Sequence, residues 1–298
     1  CTVRGSKFIM NSFCAIATLC LLFHVQPGSS TRVPAAFVSC PVLPVRMGAR
    51  PRQSRRAWPL SPSAVISQVD DYLEIKDTAC FFVRAFWEQS TAIEGGLQLS
   101  EAQRAALEQV QEGDMSERYG KLVGKRKLMS ELFVSRGDDG MVEACAGVEV
   151  AVADRTTGQV LKRNKGEELL TGSLAAMSAR ERNTLRRVSL TELADAVLPS
   201  NLGLVPVLSN LAVGSEARGQ GLGQQMVQQC EDAAKSWGFG EMLLLVEASN
   251  VAAVSLYKKL GYQDVWTQPV QAARVAEDGA ANIVSYEMVE TCALGKVL

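Results

Sequence analysis

The sequence predicts an α/β (α+β) domain in which a single sheet is flanked by helices, preceded by a targeting leader. Three observations predict it. Apolar stripes at helical spacing alternate with short β-prone runs from about residue 70 onward. Met242–Val246 is a continuous apolar run, as a central strand covered on both faces requires. Ser130–Arg136 and Met141–Ala153 are β-prone runs around Gly137-Asp138-Asp139-Gly140, which is hairpin turn chemistry. With 47% hydrophobic and 21% charged residues, the chain is neither mostly disordered nor a collagenous or coiled-coil fibre. Its 298 residues allow one or two domains.

Residues 1–69 read as a leader. They carry eight of the 31 basic residues and no acidic one. That leaves 23 basic and all 32 acidic residues for 70–298, a net of −9, which disfavours nucleic acid as a partner. Residues 8–23 are apolar but shorter than the roughly 20 residues that span a bilayer. With Arg4 and Lys7 before them, they fit a signal-peptide core. Residues 29–69 are basic, acid-free and rich in Ser, Pro and Arg, like a plastid transit peptide. The pair is similar to the bipartite leaders of complex plastids, with Phe37 where such leaders carry an aromatic residue. A secreted protein, a signal anchor and translated upstream sequence are the alternatives, and Met10 is a candidate initiator. Without the leader, no stable membrane association is expected.

His24 is the only histidine and lies in the leader. A domain starting at residue 70 thus has no Ser-His-Asp triad, no Cys-His pair and no His-ligated metal. Cys80, Cys145, Cys230 and Cys292 are widely spaced with no CxxC, and read as reduced thiols rather than a disulfide frame or zinc site. No metal is expected.

Taken in order, Val65–Ile75 can hold a first strand. Asp77 opens a helix through Trp87 with Ala79, Phe82, Val83 and Phe86 on one face. Ser100-Glu101-Ala102-Gln103 is a capping-box pattern for a helix to about Glu112. The hairpin follows. Residues 154–204 are polar and read as an insertion, with two short helices capped at Ser178 and Ser189. Val207–Val213 is the next strand. Leu222, Met226, Cys230, Ala233, Ala234 and Trp237 mark one helix face, ended by Gly238 and Gly240. Asn250 caps a helix carrying Ala253, Leu256, Tyr257 and Leu260, ended by Gly261. Strands at about 262–266 and 283–289, joined by a polar loop, close the chain.

The chemistry is carried by Leu208-Ser-Asn-Leu-Ala-Val213, then Arg218-Gly-Gln-Gly221-Leu-Gly223 and a helix start. Unpaired amides and the helix dipole attract a diphosphate there, and glycines let it approach the backbone. The spacing is not a dinucleotide fingerprint, since Gln224 stands where Gly or Ala is needed, and no GK[ST] is present. Arg218-x-x-Gly221-x-Gly223 resembles the acetyl-CoA loop of the GNAT acyltransferase superfamily. Downstream, Asn250, Leu256-Tyr257 and Gly261-Tyr262 resemble the block after that superfamily's fifth strand. The likeness is specific over about 205–267. In character it is nearest to plastid GNAT enzymes and to bacterial ribosomal-protein N-terminal acetyltransferases.

The resemblance implies a mixed, mostly antiparallel sheet whose central parallel strands splay, with acetyl-CoA as cosubstrate. It implies that Leu211, Ala212 and Val213 hold the pantetheine arm. Arg218, Gly219, Gln220, Gly221, Leu222, Gly223 and Gln224 would hold the pyrophosphate, with Arg218 partly structural. Asn250 would reach the pantetheine, cap a helix, or both. Tyr257 would protonate the leaving thiolate; on its own it reads as a core tyrosine. The bacterial enzymes' glutamate position is matched by Leu245, which cannot be a base. Glu247, on the same strand face, is the first candidate; Glu216, Glu149 and a water relay follow. The implied acceptor is a protein amine, an N-terminus or a lysine. A small amine and a non-catalytic acyl-CoA-binding role are the alternatives. Acceptor choice is expected in residues 88–115, 154–204 and 267–282. Oligomeric state is not readable.

Overall fold

The computed structural model describes residues 65–69, 71–89, 98–120, 128–185, 187–275 and 284–298. The signal-like and transit-like segments, with His24, lie outside the described residues up to position 64. The last residues of the expected leader are part of the sheet: β1 is Val65–Gln68 and pairs antiparallel with β2. The fold therefore begins before residue 70.

Seven strands form one sheet in the order β1-β2-β3-β4-β5-β7-β6. β2 (Ser130–Arg136) and β3 (Val142–Asp154) are the expected hairpin. β4 (Leu202–Val213) pairs antiparallel with β3 and parallel with β5 (Glu241–Glu247). β6 (Gln263–Val275) and β7 (Val284–Val297) form an antiparallel ribbon that joins β5 through β7. This is the expected mixed, mostly antiparallel sheet with one parallel pair.

On one face lie α6 (Leu222–Ser236) and α7 (Val251–Lys259). Met226, Val227, Cys230 and Ala234 of α6 pack on Ala146, Leu208, Met242 and Leu244. On the other face lie α1 (Tyr72–Val83) and α2 (Glu101–Tyr119). Ala79, Phe82, Met115 and Tyr119 pack there on Leu132, Val134, Cys145 and Ala212.

Several boundaries differ from the sequence expectation. The first strand is four residues long, because the Asp71 side chain accepts from Glu74 N at 2.9 Å and starts α1 at Tyr72, not at Asp77. α1 continues into a π-helical turn, Arg84–Glu88. The wider turn rotates the apolar face, so Trp87 is buried and Phe86 is exposed. α2 passes Glu112 to Tyr119, because Met115, Arg118 and Tyr119 extend its buried face. It occupies much of the expected 88–115 loop.

The insertion holds three helices: α3 (Arg163–Ala176), α4 (Ala179–Leu185) and α5 (Leu190–Val197). Ser178 and Ser189 are the expected caps. α3 went unread because no side chain caps it and its interior carries Gly166 and Gly172. Leu170, Ala194 and Val197 pack with Val150 and Val152 of β3. The expected 267–282 loop is largely strand, since β6 and β7 stay paired from Gln263↔Gly295 to Val275↔Val284.

Two features of β4 shape the site. It pairs with β5 only at Val207↔Leu243 and Leu208↔Leu244, although each strand continues along its other neighbour. The strands therefore part after Leu208 and Leu244. At that point Asn210 and Leu211 face the single residue Ala146, a bulge, with Asn210 at φ 53°. Beneath the bulge, Gly147 leaves room for the Tyr119 ring; a Cβ there would lie 2.5 Å from Tyr119 Cζ. We expect Gly147→Ala to cost about 1–3 kcal/mol by overpacking. A thermal melt checks it, and an unchanged midpoint would show that Tyr119 is free to move.

Candidate active site

After Val213 the chain makes a 3-10 turn, Ser215–Ala217, and enters α6 through Gly219 (φ 78°) and Gly221 (φ 85°). The left-handed backbone at these glycines would be strained in any L residue. The first recorded bond of α6 is Gln225 N to Gly221 O, at 3.1 Å. The amides of Leu222, Gly223 and Gln224 lie in the first turn, where helical amides lack i−4 partners. With the helix dipole they make an end whose chemistry suits an anion. Gly223 is packed closely: a Cβ would meet Leu256 Cδ2 at 3.4 Å and Val213 Cγ2 at 3.6 Å. The loop, the end of β4 and α7 thus meet at one place.

Loop side chains serve the loop itself. Arg218 donates from Nε to Val213 O at 3.1 Å and from a terminal nitrogen to Ala85 O at 3.3 Å. It ties the loop to the π-helical turn, the structural part of its expected role. Gln220 Nε2 donates to Glu216 O at 2.9 Å. Leu222 is in the core, while Gln224 and Glu216 are exposed.

The bulge sets which way β4 presents its side chains. Leu211 and Val213 pack toward α6, and Ala212 packs toward α1 and α2. Tyr257 is buried in the α6 cluster, edge-on to Tyr262 with ring centres 5.8 Å apart. Burial, then the nearby Cys230, raises the Tyr257 pKa and holds it as a neutral phenol. Asn250 Oδ1 accepts from Ala253 N at 3.2 Å, so the helix-cap role is present.

The candidate bases are placed differently. Glu247 ends β5 and is gripped by Arg274 through both oxygens, at 2.9 and 3.0 Å. Arg274 also reaches Glu287. Glu149 is buried, holding Arg118 and, at 2.8 Å, Arg163. Both carboxylates are committed to guanidinium groups.

Sequence reasoning missed a group on the other face. Tyr119 Oη lies 2.7 Å from Ser209 Oγ and accepts from Asn210 Nδ2 at 3.2 Å. Asn is the non-glycine residue most at ease with positive φ, so Asn210 at a bulge was the available signal. The described residues contain no cluster of potential metal ligands. No described helix is long and apolar enough to cross a membrane.

Residues 198–262 match the family model described as acetyltransferase (GNAT) family. The uncharacterized N-acetyltransferase YobR of Bacillus subtilis is 43% identical over 58 residues, 20% of this chain and 24% of that protein. The chloroplastic GCN5-related N-acetyltransferase 7 of Arabidopsis thaliana is 34% identical over 67 residues, 22% of this chain and 24% of that protein. The ribosomal protein bS18-alanine N-acetyltransferase of Escherichia coli K12 is 37% identical over 57 residues, 19% of this chain and 38% of that protein. Over residues 198–262 the chain is similar to the GNAT acetyltransferase family. Its matches span about a quarter to two-fifths of these relatives' lengths.

Burial raises the pKa of Tyr119 and Tyr257, and pushes the Cys145 thiol up to about 12. Each group is neutral in the fold and ionises first in the unfolded chain. The tyrosine contribution to stability is thus complete below about pH 10 and is lost as pH rises further; the cysteine loss begins near pH 8.5. We expect denaturant midpoints to fall between pH 9 and pH 11, and less steeply in Tyr257→Phe. Equal slopes in the two proteins would show that Tyr257 ionises as readily in the fold as in the unfolded chain.

Proposed function

We propose that this protein is an acetyl-CoA-dependent N-acetyltransferase that acts on protein amines. The observation that carries it is the junction of three features. β4 and β5 part after one parallel step, the helix end at Gly221 follows β4 within eight residues, and Tyr257 is buried beside both. The freed main chain of Leu211–Val213 suits the amides of a pantetheine arm. The first turn of α6 suits the pyrophosphate.

The reaction is direct attack of an amine on the thioester carbonyl in a ternary complex. A tetrahedral intermediate forms, Tyr257 donates its proton to the departing sulfur, and the proton shed by the acylated nitrogen passes to water, from which Tyr257 is reprotonated. A phenol kept neutral by burial is always protonated when needed. The thiolate arises in the same low-dielectric surroundings, which raise its own proton affinity. Asn250 lies at the α7 end where the arm would pass. Glu247 acts as a base only with the Arg274 guanidinium turned away.

This favours an acceptor that needs little help. An α-amine has a pKa of about 7.7–8.0, so roughly half is neutral near pH 8. A lysine at about 10.4 is under 1% neutral there, a handicap of about 3 kcal/mol. We therefore place protein N-termini first among substrates and lysines second. The plastid is our proposed location, supported by the leader composition and by the chloroplastic relative.

Two peptide pools test the reading, one with free N-termini and no lysine, the other with blocked N-termini and internal lysines. With acetyl-CoA, mass spectrometry should find acetyl groups on the first pool and fewer on the second. Acetylation of small amines alone would overturn the protein-amine reading. Tyr257→Phe should lower kcat by about 10²-fold or more with acetyl-CoA still bound. Full turnover in that variant would remove Tyr257 from the mechanism.

A further inference from the structure

Buried polar side chains are expensive unless paired, and here more than half of those described come from α2, β3 and β4. They are Gln111, Asp114 and Arg118 of α2, Glu149 of β3, and Ser209 and Asn210 of β4, all nearly inaccessible. Arg118 pairs with Asp114 at 2.9 Å and with Glu149. The Tyr119 and Ser209 hydroxyls pair with each other, and Asn210 Nδ2 donates to Tyr119.

Two members are different. Gln111 is fully buried, and neither its amide nitrogen nor its amide oxygen has a hydrogen-bond partner. Asn210 Oδ1 is likewise buried without one. Asn210 needs no functional reason for its backbone, but positive φ does not require an orphaned carbonyl. At Gln111 a leucine would fill similar space without the cost of two unpaired polar atoms.

The neighbours of Gln111 along α2 locate it. One turn earlier, Leu107 packs with Val83, Trp87 and, from β6, Val275. One turn later, Met115 packs in the cluster that includes Leu132, Val134 and Ala212 of β4. The same helix face thus runs from a cluster that Val275 of β6 joins to one that holds Ala212 of β4. Gln111 lies between the two clusters on that face. Tyr119 is eight residues on, about 12 Å along the helix. An extended peptide covers that distance in about three to four residues.

We propose that Gln111, Asn210 and the Tyr119–Ser209 hydroxyl pair form the acceptor-side recognition group, and that they read a peptide α-amine together with the main chain behind it. The inference rests on the acetyltransferase reading and names its acceptor class. A neutral amine attacking the thioester points its lone pair at the carbonyl and needs acceptors for its N–H groups. Ser209 Oγ and Asn210 Oδ1 supply them. A carboxamide offers both a donor and an acceptor, the complement of a peptide unit. Gln111 therefore pairs with a main-chain amide a few residues behind the amine. A diamine has no carbonyl for Gln111 to meet.

Steady-state transfer by the full chain to two acceptors tests this: an alanine-initiated, lysine-free pentapeptide and 1,4-diaminobutane. Wild type should prefer the peptide. Gln111→Leu should cut the peptide-to-diamine ratio of kcat/KM about tenfold, mainly through peptide KM, while KM for acetyl-CoA holds. Its melting temperature should be unchanged or higher, because two unpaired polar atoms are gone. Asn210→Gly keeps the left-handed backbone and should shift the ratio the same way, so the idea stays testable if the first variant misfolds. A preference for the diamine in wild type overturns the inference, as does an unchanged ratio in folded variants or an equal loss on both acceptors. Wild type that binds acetyl-CoA but acetylates neither acceptor would sink the acetyltransferase reading itself.

Discussion

A parallel strand pair is closed to ligands as long as its ladder holds, because every facing N–H and C=O is used. In this protein the ladder between β4 and β5 lasts for two register pairs and then ends, although both strands run on. β4 is carried away by β3, to which it stays bonded as far as Val213↔Ala144. β5 is carried by β7 as far as Glu247↔Thr291. The bulge at Asn210 supplies the bend. It also changes the phase of alternation, since one extra residue moves every later side chain to the opposite face. Ser209 therefore faces α2, while Leu211 and Val213 face α6. A single backbone irregularity thus separates the side of β4 that faces α2 from the side that faces α6.

The side that faces α6 depends in turn on where that helix begins. Its position is set from below by a tightly buried stripe, Met226, Val227, Cys230 and Ala234, and from above by the loop that precedes it. That loop is tied down by Arg218, whose two bonds reach the strand it leaves and the π-helical turn beyond. Arg218 thus acts on protein carbonyls, and on the proposed function an anion would be left to the backbone amides. Behind α6, Glu231 and Lys296 form an ion pair at 2.6 Å that binds the last strand to the helix. Tyr257 and Tyr262 are packed in the same cluster. The proposed acid is therefore held by packing, and its surroundings keep the proton on it.

How much of this was legible follows from the kind of signal each part carries. α6, β5 and the β2–β3 hairpin were readable because period and turn chemistry agree at each. The glycine-rich loop was readable because glycine is needed at fixed positions. The Ser100, Ser178, Ser189 and Asn250 caps were readable because a short polar side chain before a helix has few other uses. α3 has no cap and two internal glycines, and β6 alternates weakly because its ribbon is largely exposed. The π-helical turn displaced the buried residue from Phe86 to Trp87, a shift that no 3.6-residue period can show. The polar group around Tyr119 escaped for another reason. Its members come from α2, β3 and β4, and each alone looks like an ordinary polar residue. Only Gly147, which makes room for the Tyr119 ring, and Asn210, with its positive φ, show why those residue types stand there.

The buried ion network beside that group bears on the proposed acceptor side. Arg118, Asp114, Glu149 and Arg163 balance one another in charge. Burying such a network rarely gains stability over a well-packed apolar core. What it does impose is geometry, because each guanidinium fork accepts one arrangement of carboxylates. Here it fixes the last turn of α2 against β3, and with it Tyr119 over Gly147. It also removes Glu149 as a free base, just as Arg274 restrains Glu247. A site with its nearby carboxylates committed has little means of taking a proton from a charged amine. It can still orient one that arrives neutral. On the proposed function, positioning rather than deprotonation is the service that α2 and the β4 bulge would provide, and an N-terminal amine is the protein nucleophile for which positioning would suffice.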